Sequence, residues 1–139
     1  WHHKMAAVDV DLDFQNKFQK AQECRESYTK KFPLVQVITA EEADQISDII
    51  LIDVRSKNEQ EVSMIPGAIT QEEFETKLAN DDIPQSHLIA PYCTVGYRSG
   101  NYATSLIEKK GFANERVRNH EGILMYTYLQ KPLVQKLQI

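Results

Sequence analysis

The sequence predicts an α/β fold, in which a parallel β-sheet is covered by helices on both faces. Short runs of apolar and β-branched residues alternate along the chain with segments of helical periodicity. The run at residues 49–54 is apolar on both faces, which is typical of a buried parallel strand. Two of the predicted helices begin with a capping-box pattern. Strands that alternate with helices in this way favour a parallel sheet between helical layers.

Residues 12–32 are predicted to form one helix in an N-terminal extension that spans residues 1–32. Apolar side chains recur there at spacings of three, four and seven residues, and Pro33 ends the pattern. The stripe consists of Phe14, Phe18, Ala21, Tyr28 and Phe32. We expect this stripe to pack against the main domain at residues 33–139; the alternative is an exposed face for a protein partner. Residues 1–4 resemble an expression tag and do not enter the fold prediction.

The first half of the main domain contains two predicted strands and two predicted helix starts. Residues 34–38 are rich in β-branched side chains and predict a short strand ahead of the buried strand at residues 49–54. Helices are predicted to begin at Thr39 and Thr70, because a glutamate three residues after each threonine completes a capping box.

The second half of the main domain repeats the alternation. Residues 88–90 predict another buried strand, and residues 99–110 predict a helix that ends at Gly111. Val117 is assigned to a last strand and residues 123–129 to a final helix. The last three elements therefore continue the strand–helix order of the first half.

Composition and charge exclude several classes of protein. With 139 residues, 42% hydrophobic and 26% charged, the chain fits one compact domain rather than a disordered or fibrous protein. Its 16 Lys and Arg are scattered among 20 Asp and Glu, so no basic stripe predicts nucleic-acid binding. No apolar run approaches the ~20 residues of a membrane span. Two cysteines, Cys24 and Cys93, favour a reducing compartment, the cytoplasm or an organelle, and no Cys/His spacing predicts a metal site.

Residues 91–100 differ from the rest of the chain because reactive and anion-binding residue types are concentrated there. The segment lies between a predicted strand and a predicted helix, so Cys93 is expected at the carboxyl end of a strand, facing a helix N-terminus. That position stabilises a thiolate. Gly96 allows backbone N–H groups to point inwards, Arg98 adds a positive charge, and Ser99 is expected to cap the helix. The segment predicts a place for an anionic sulfur, or for an anion delivered to it; the alternative is an inert buried thiol.

Three segments of the sequence carry a family resemblance. The first consists of LIDVR at 51–55 with Glu59, followed by IPGAI at 65–69. The second is YCTVGYRS at 92–99, and the third consists of GF at 111–112 and HEGI at 120–123. Together they resemble a single rhodanese domain over about residues 33–130. The resemblance implies a rhodanese-like three-layer sandwich, with a central parallel sheet of about five strands and helices on both faces.

The resemblance also implies a sulfurtransferase that works through a persulfide on Cys93. The thiolate would attack the outer sulfur of a donor such as thiosulfate, and the persulfide would pass that sulfur to an acceptor such as a thiol or cyanide. Covalent catalysis of this kind needs no metal or organic cofactor. The substrate-binding residues would be those that follow the cysteine: Thr94, Val95, Gly96, Tyr97, Arg98 and Ser99. The loop is apolar at Val95 and Tyr97 and has no second basic residue, which weakens the case for thiosulfate as the preferred donor.

Two other uses of the same fold remain open. A non-catalytic or sulfur-carrier rhodanese-like module would dock to a protein partner, and the aromatic stripe of the helix at residues 14–32 favours this alternative. A Cdc25-like phosphatase or an arsenate reductase would use a similar loop. The phosphatase loops, however, resemble C-x5-R, whereas Cys93 and Arg98 form C-x4-R, and the shorter loop fits a sulfur atom better than a tetrahedral phosphate.

Several charged or reactive residues outside the loop are expected to have supporting or structural roles. Asp53 and Arg55 end the central strand, where a buried ion pair is expected ahead of direct substrate contact. Glu59 is expected to pair with Arg55, and Pro91 to remove a backbone donor close to the loop. Three further side chains are expected to be structural or solvent-exposed: His87, His120 and Cys24.

Overall fold

The computed structural model describes the backbone of residues 2–136 and the side chains of residues 12–136. Trp1 of the expected tag and residues 137–139 of the predicted main domain lie outside the described residues. In chain order the elements are α1 (His2–Lys31), β1 (Gln36–Ile38), α2 (Ala40–Asp44), β2 (Ile49–Asp53), α3 (Lys57–Val62), β3 (Ile69–Thr70), α4 (Gln71–Ala79), β4 (Leu88–Tyr92), α5 (Tyr97–Lys110), a 3-10 turn (Asn114–Arg116), β5 (Arg118–His120) and α6 (Ile123–Thr127). Strands and helices alternate, which confirms the predicted α/β class.

The boundaries of some elements differ from the sequence prediction. The helix α1 begins at His2 rather than at residue 12, and α5 begins at Tyr97 rather than at Ser99. The strand β4 continues to Tyr92, beyond the predicted residues 88–90. Hydrogen bonds set these limits, whereas the sequence pattern records only which side chains are apolar.

Three helices begin with capping boxes. In each, a hydroxyl side chain accepts a hydrogen bond from the backbone N–H of a glutamate three residues later, and that glutamate accepts from the N–H of the capping residue. The boxes at Thr39 and Thr70 confirm the prediction. The third box joins Ser56 to Glu59 at the start of α3, and sequence reasoning missed it.

The five strands of the described chain pair in parallel as two groups, β1–β5 and β3–β2–β4. Within residues 2–136 one parallel bridge, between Ile89 and Val117, joins the groups across β4 and β5. The Leu88 N–H and the Tyr92 carbonyl form hydrogen bonds on the edge of β4 that faces β2. Because successive residues of a strand bond to opposite neighbours, Ile89 and Pro91 face β5. Pro91 has no N–H to donate towards β5, so the hydrogen-bond ladder between β4 and β5 is interrupted here and the expected sheet of about five strands is not one continuous ladder.

Apolar side chains pack on both faces of the strands, which confirms the two helical layers. One buried cluster faces α4 and α5; its members are Val35, Ile52, Phe74, Ile89, Ala103, Leu106 and Val117. A second faces α1, α2 and α6; its members are Ala21, Ala40, Ile65, Tyr92, Ile123, Met125 and Tyr126. Removal of these side chains from water on both faces stabilises the layered arrangement.

The helix α1 packs against the rest of the chain at several points. The rings of Phe14 and Phe18 lie edge-on to Tyr128, with centroids 4.8 and 5.3 Å apart respectively. Farther along, Arg25 forms an ion pair with Glu121 at 2.9 Å. Although α1 has 30 residues, no helix in the described part of the chain is both long and apolar enough to cross a membrane.

The C-terminal end of α1 packs directly on the start of α5. A Cβ atom placed at Gly100 would lie 2.2 Å from Cδ2 of Phe32, so this close approach requires glycine. The rings of Tyr28 and Phe32 lie edge-on to Tyr97, with centroids 5.6 and 5.9 Å from it. Tyr28 also approaches Gly96, where an added Cβ would lie 3.6 Å from its ring. The end of α1 therefore contacts the loop that follows β4.

Candidate active site

The candidate site is the loop between β4 and α5, at the carboxyl ends of the strands. Cys93 directly follows Tyr92, the last residue of β4. The backbone turns at Gly96, whose φ of 107° favours glycine, and α5 begins at the next residue. Cys93 thus lies between a strand end and the first turn of a helix, and only 2% of its surface is exposed.

A chain of hydrogen bonds surrounds the Cys93 Sγ. The Gly96 N–H donates to the sulfur at 3.2 Å, and the Ser99 Oγ lies 3.4 Å from it. The Ser99 hydroxyl donates to Asn119 Oδ1 at 2.7 Å, while Asn119 Nδ2 donates to the Gly96 carbonyl at 3.0 Å. Because the Gly96 carbonyl orients the Asn119 amide, the Asn119 oxygen holds the serine hydroxyl beside the sulfur. The single hydroxyl hydrogen can turn from Asn119 to the sulfur when the thiolate forms.

These hydrogen bonds lower the pKa of Cys93 against the effect of burial. Burial raises the pKa of the thiol, because it disfavours the charged form. The Ser99 hydroxyl and the backbone N–H groups of Ser99, Gly96 and Val95 stabilise the thiolate and outweigh burial, so the net pKa lies below the ordinary value. A lowered pKa increases the fraction of thiolate, which is the nucleophilic form.

The start of α6 fixes the backbone of the loop. The N–H groups of Ile123 and Leu124 donate to the carbonyls of Cys93 and Thr94 at 2.9 and 3.2 Å. Gly122, which precedes α6, has a φ of 113°, and a Cβ there would lie 2.1 Å from the Thr94 carbonyl oxygen. The close approach therefore requires glycine. With its carbonyls bonded to α6, the loop keeps a fixed conformation around the sulfur.

Arg98 is bonded to a carboxylate from α3. Its guanidinium donates to both oxygens of Glu59, at 2.9 and 3.2 Å, and to Thr94 Oγ1 at 3.2 Å. The expected pairing of Glu59 with Arg55 is therefore wrong, because the capping box holds Glu59 at the start of α3, where it meets the loop. The Arg98 guanidinium lowers the pKa of Glu59 to about 2, so the carboxylate is charged at neutral pH. Glu59, and to a smaller extent the Cys93 thiolate, raises the pKa of Arg98.

Asp53 and Arg55 form the expected buried ion pair. The closest contact between them is 2.9 Å, and their side chains are 0% and 5% exposed. The Tyr92 hydroxyl donates to Asp53 Oδ2 at 2.8 Å and accepts from the Ile65 N–H at 3.1 Å. Burial, followed by the charge of Asp53, raises the pKa of Tyr92, so this hydroxyl stays protonated. The pair thus contacts the residue that precedes Cys93.

In the first turn of α5, Ser99 occupies a place other than the one that the sequence pattern predicts. Ser99 does not cap α5, because Gly96 is the N-cap residue and Ser99 lies in the first turn. Its hydroxyl faces Cys93 instead. The Tyr97 ring packs against Tyr28 of α1 and against Phe32, which follows α1, and the Lys31 Nζ lies 4.6 Å from its centroid.

Sequence reasoning missed the role of Asn119 at this site. Asn119 lies on β5 and reaches the loop from a neighbouring strand, 20 residues beyond Ser99. A usable signal is its place directly before the segment at 120–123, which is part of the family resemblance. The role of Gly122 in that segment also required the structure, because only the distance to Thr94 identifies it.

The histidines do not contact the cysteine in the described hydrogen bonds. His120 is buried, and its Nδ1 accepts the Gly122 N–H at 2.9 Å. Burial lowers its pKa to about 4, so the ring is neutral at pH 7. His87 is partly buried before β4, where its Nδ1 lies 3.4 Å from the Ser86 hydroxyl. Cys24 is a partly buried free thiol on α1.

The chain combines a parallel α/β fold with one cysteine at a strand end, surrounded by backbone N–H groups. These features define the class of α/β domains whose candidate active site is a cysteine in an anion-binding loop. The particular family follows from comparison with known proteins. The model of the family "Rhodanese-like domain" matches residues 39–124, so the chain belongs to the rhodanese-like domain family. The matched residues include the whole loop and strands β2 to β5, and the match confirms the resemblance. No curated protein matches the chain.

Several solved structures are similar to this chain. Reduced CoADR-RHD from Bacillus anthracis is 30% identical, with a TM-score of 0.56, over 73% of this chain and 18% of that chain. A rhodanese-related protein from Thermoplasma volcanium is 20% identical, with a TM-score of 0.55, over 73% of this chain and 99% of that one. The polysulfide-sulfur transferase homodimer from Wolinella succinogenes is 18% identical, with a TM-score of 0.55, over 91% and 90% of the chains. The last two support the fold alone; family membership supports a sulfur-related function.

Proposed function

We propose that this chain is a sulfurtransferase in which Cys93 carries the transferred sulfur as a persulfide. The observation that carries the proposal is the environment of the Cys93 Sγ, which accepts the Gly96 N–H at 3.2 Å and lies 3.4 Å from the Ser99 hydroxyl. These donors lower the pKa of the thiol although it is buried. Membership of the rhodanese-like domain family also supports the proposal.

The reaction consists of two sulfur transfers without net oxidation or reduction. The Cys93 thiolate attacks the outer sulfur of a donor such as thiosulfate; a sulfur–sulfur bond forms, and sulfite leaves with the electron pair of the donor's bond. A thiolate or cyanide then attacks the outer sulfur of the persulfide and releases the Cys93 thiolate. The loop N–H groups stabilise the anionic sulfur in both states, and the covalent intermediate divides the transfer into two easier steps.

The test is loading of Cys93 with sulfur, followed by thiosulfate-to-cyanide transfer. Intact-protein mass spectrometry after incubation with thiosulfate is expected to show one added sulfur, which cyanide removes. Cys93→Ser should abolish both loading and turnover. The matched control Cys24→Ser removes the other thiol and should leave both unchanged. If folded and reduced protein shows no turnover and gains no sulfur, the proposal is contradicted. Release of phosphate from an aryl phosphate would favour a phosphatase instead.

A second candidate is a sulfur-carrier or non-catalytic module that docks to a protein partner. Two observations favour it: Cys93 is 2% exposed, and Phe14 on α1 remains 38% exposed. Hydrogen exchange of α1 separates the two functions. Strong protection over residues 12–31 is expected if α1 only packs against the domain, whereas rapid exchange there would favour a docking face.

A further inference from the structure

We propose that Glu59 determines which sulfur donors this site accepts, favouring donors with one negative charge and an apolar substituent over the thiosulfate dianion. The inference rests on the proposed sulfurtransferase function and deepens it by naming the class of donor. Three observations carry it: the partner of Arg98, the way in which Glu59 is held, and the apolar side chains beside the loop.

The first observation is that the positive charge of the loop is already compensated. Arg98 is the one basic residue between positions 91 and 100. Its guanidinium meets both oxygens of Glu59, at 2.9 and 3.2 Å. Arg98 and Glu59 retain 45% and 36% exposure of their side chains, so both charges face the solution from which a donor arrives. The side chains of this pair therefore present no net positive charge to a dianion.

The second observation is that the carboxylate of Glu59 is held in place by its own helix. Glu59 Oε1 accepts the Ser56 N–H at 3.3 Å and the Ser56 hydroxyl at 3.1 Å, in addition to Arg98. These bonds fix the carboxylate beside the loop. The carboxylate therefore stays beside Arg98 and continues to offset the attraction of the guanidinium for each further negative charge on a donor.

The third observation is that apolar side chains border the loop. Val95 is partly exposed within it, and Leu124, whose N–H bonds to the Thr94 carbonyl, is 38% exposed. An apolar substituent on the donor loses little by contact with such side chains, whereas a charged oxygen must give up hydration there.

Thiosulfate and the methanethiosulfonate anion are a matched pair of donors for this test. They share the outer sulfur, and a methyl group in the second replaces one charged oxygen of the first. In each case the Cys93 thiolate forms a bond to the outer sulfur while the donor's sulfur–sulfur bond breaks. The leaving group takes the electron pair and is sulfite from thiosulfate or methanesulfinate from methanethiosulfonate. Both reactions produce the same Cys93 persulfide.

The experiment compares kcat/KM for the two donors in the wild type, Glu59→Gln and Glu73→Gln. Glutamine still fits a capping box, so Glu59→Gln removes the charge and keeps the helix start. Glu73 is the matched control, because it completes the box at Thr70 and pairs with Lys136 at 3.1 Å, at the start of α4. The thiosulfate-to-methanethiosulfonate ratio of kcat/KM is expected to rise about tenfold in Glu59→Gln and to stay within about twofold in Glu73→Gln. Because the same donor ratio is compared between variants, the intrinsic difference in reactivity between the two leaving groups cancels.

A measurement on the wild type alone covers the case in which Glu59→Gln fails to fold. Raising the ionic strength from about 0.01 M to about 0.1 M shortens the Debye length from about 30 Å to about 10 Å. If Glu59 compensates the charge of Arg98, added salt should leave the thiosulfate-to-methanethiosulfonate ratio of kcat/KM unchanged or raise it. A relative fall would mean that Arg98 attracts the dianion, and would overturn the inference.

The inference and the proposed function fail in different ways. An unchanged donor ratio in folded Glu59→Gln, with both donors loading Cys93, overturns the role of Glu59 and leaves the sulfurtransferase function intact. Failure of both donors to load Cys93 in folded wild-type protein overturns the proposed function and the inference with it. Mass spectrometry of the loaded protein distinguishes these outcomes.

Discussion

Two carboxylate–arginine pairs lie near Cys93, and they differ in burial and in what they contact. The Asp53–Arg55 pair is almost wholly buried and bonds to Tyr92 at the end of β4. The Glu59–Arg98 pair is partly exposed and joins α3 to the first turn of α5, directly after the loop. Breaking a buried pair leaves a charge without compensation, whereas an exposed pair contributes little to stability. The first pair therefore stabilises the fold beneath the site, while the second sets the charge beside it.

The strongest test of this comparison is Asp53→Ala. The substitution leaves the Arg55 guanidinium and the Tyr92 hydroxyl buried without their partner. We expect the free energy of unfolding to fall by about 3–5 kcal/mol, measured by urea denaturation. Glu59→Gln is the matched control, with a loss below about 1 kcal/mol. Equal losses in the two variants would remove the distinction between the pairs.

Tyr92→Phe tests a single contact of the buried pair. The substitution removes one hydrogen bond to Asp53 and leaves the Ile65 N–H without an acceptor. We expect a loss of about 1–3 kcal/mol in the free energy of unfolding, measured in the same urea experiment. A loss as large as that of Asp53→Ala would show that the tyrosine, and not the ion pair, dominates the stability of this region.

Ser99→Ala tests whether the loop's own hydrogen bonds control the cysteine. Loss of the hydroxyl removes a donor that stabilises the thiolate, so the pKa of Cys93 should rise. Alkylation by iodoacetamide at neutral pH should slow severalfold, and its pH midpoint should move upwards. The measurement uses a Cys24→Ser background, so that one thiol reacts. If the pKa of Cys93 rises more in Glu59→Gln than in Ser99→Ala, the exposed ion pair controls the pKa of the thiol instead.

The smallest expected effect is the pH dependence of the exposed pair. The pKa of Glu59 is lowered from 4.5 to about 2 in the folded protein, so its ion pair stabilises the fold above about pH 4.5. That contribution is lost as the pH falls through about 2. The difference in unfolding free energy between the wild type and Glu59→Gln should therefore be small at pH 7 and vanish near pH 2. If the difference in unfolding free energy persists at pH 2, it does not come from the charge of Glu59.

The sequence predicts those parts of the fold that depend on neighbouring residues. The capping boxes at Thr39 and Thr70 require two residues three positions apart, and both form as predicted. The position of Cys93 follows from the order of strand, loop and helix within ten residues. The division of the sheet does not follow in this way, because it depends on which neighbouring strand Pro91 faces.

Contacts between distant segments are the part of the site that sequence reasoning did not reach. Arg98 and Glu59 are 39 positions apart, and Glu59 has a second arginine, Arg55, much closer in sequence. Asn119 meets Ser99 across 20 positions. Neither distance nor spacing along the chain indicates such pairs; they form because the carboxyl ends of parallel strands meet at one edge of the sheet.

Pro91 lacks the N–H that would extend the ladder between β4 and β5, so the strand groups β1–β5 and β3–β2–β4 are two parts that are joined, within residues 2–136, by one bridge and by a shared core of side chains. Within the described chain one bridge joins β4 to β5, so we expect β1 and β5 to separate before the strands β3, β2 and β4 do. Cys93 belongs to one part and Asn119 to the other. Mild warming would then produce an inactive protein with most of its helices intact, and loss of transfer activity well below the melting temperature of the circular dichroism signal would reveal it. Coincident loss of both signals would show instead that the two parts unfold as one.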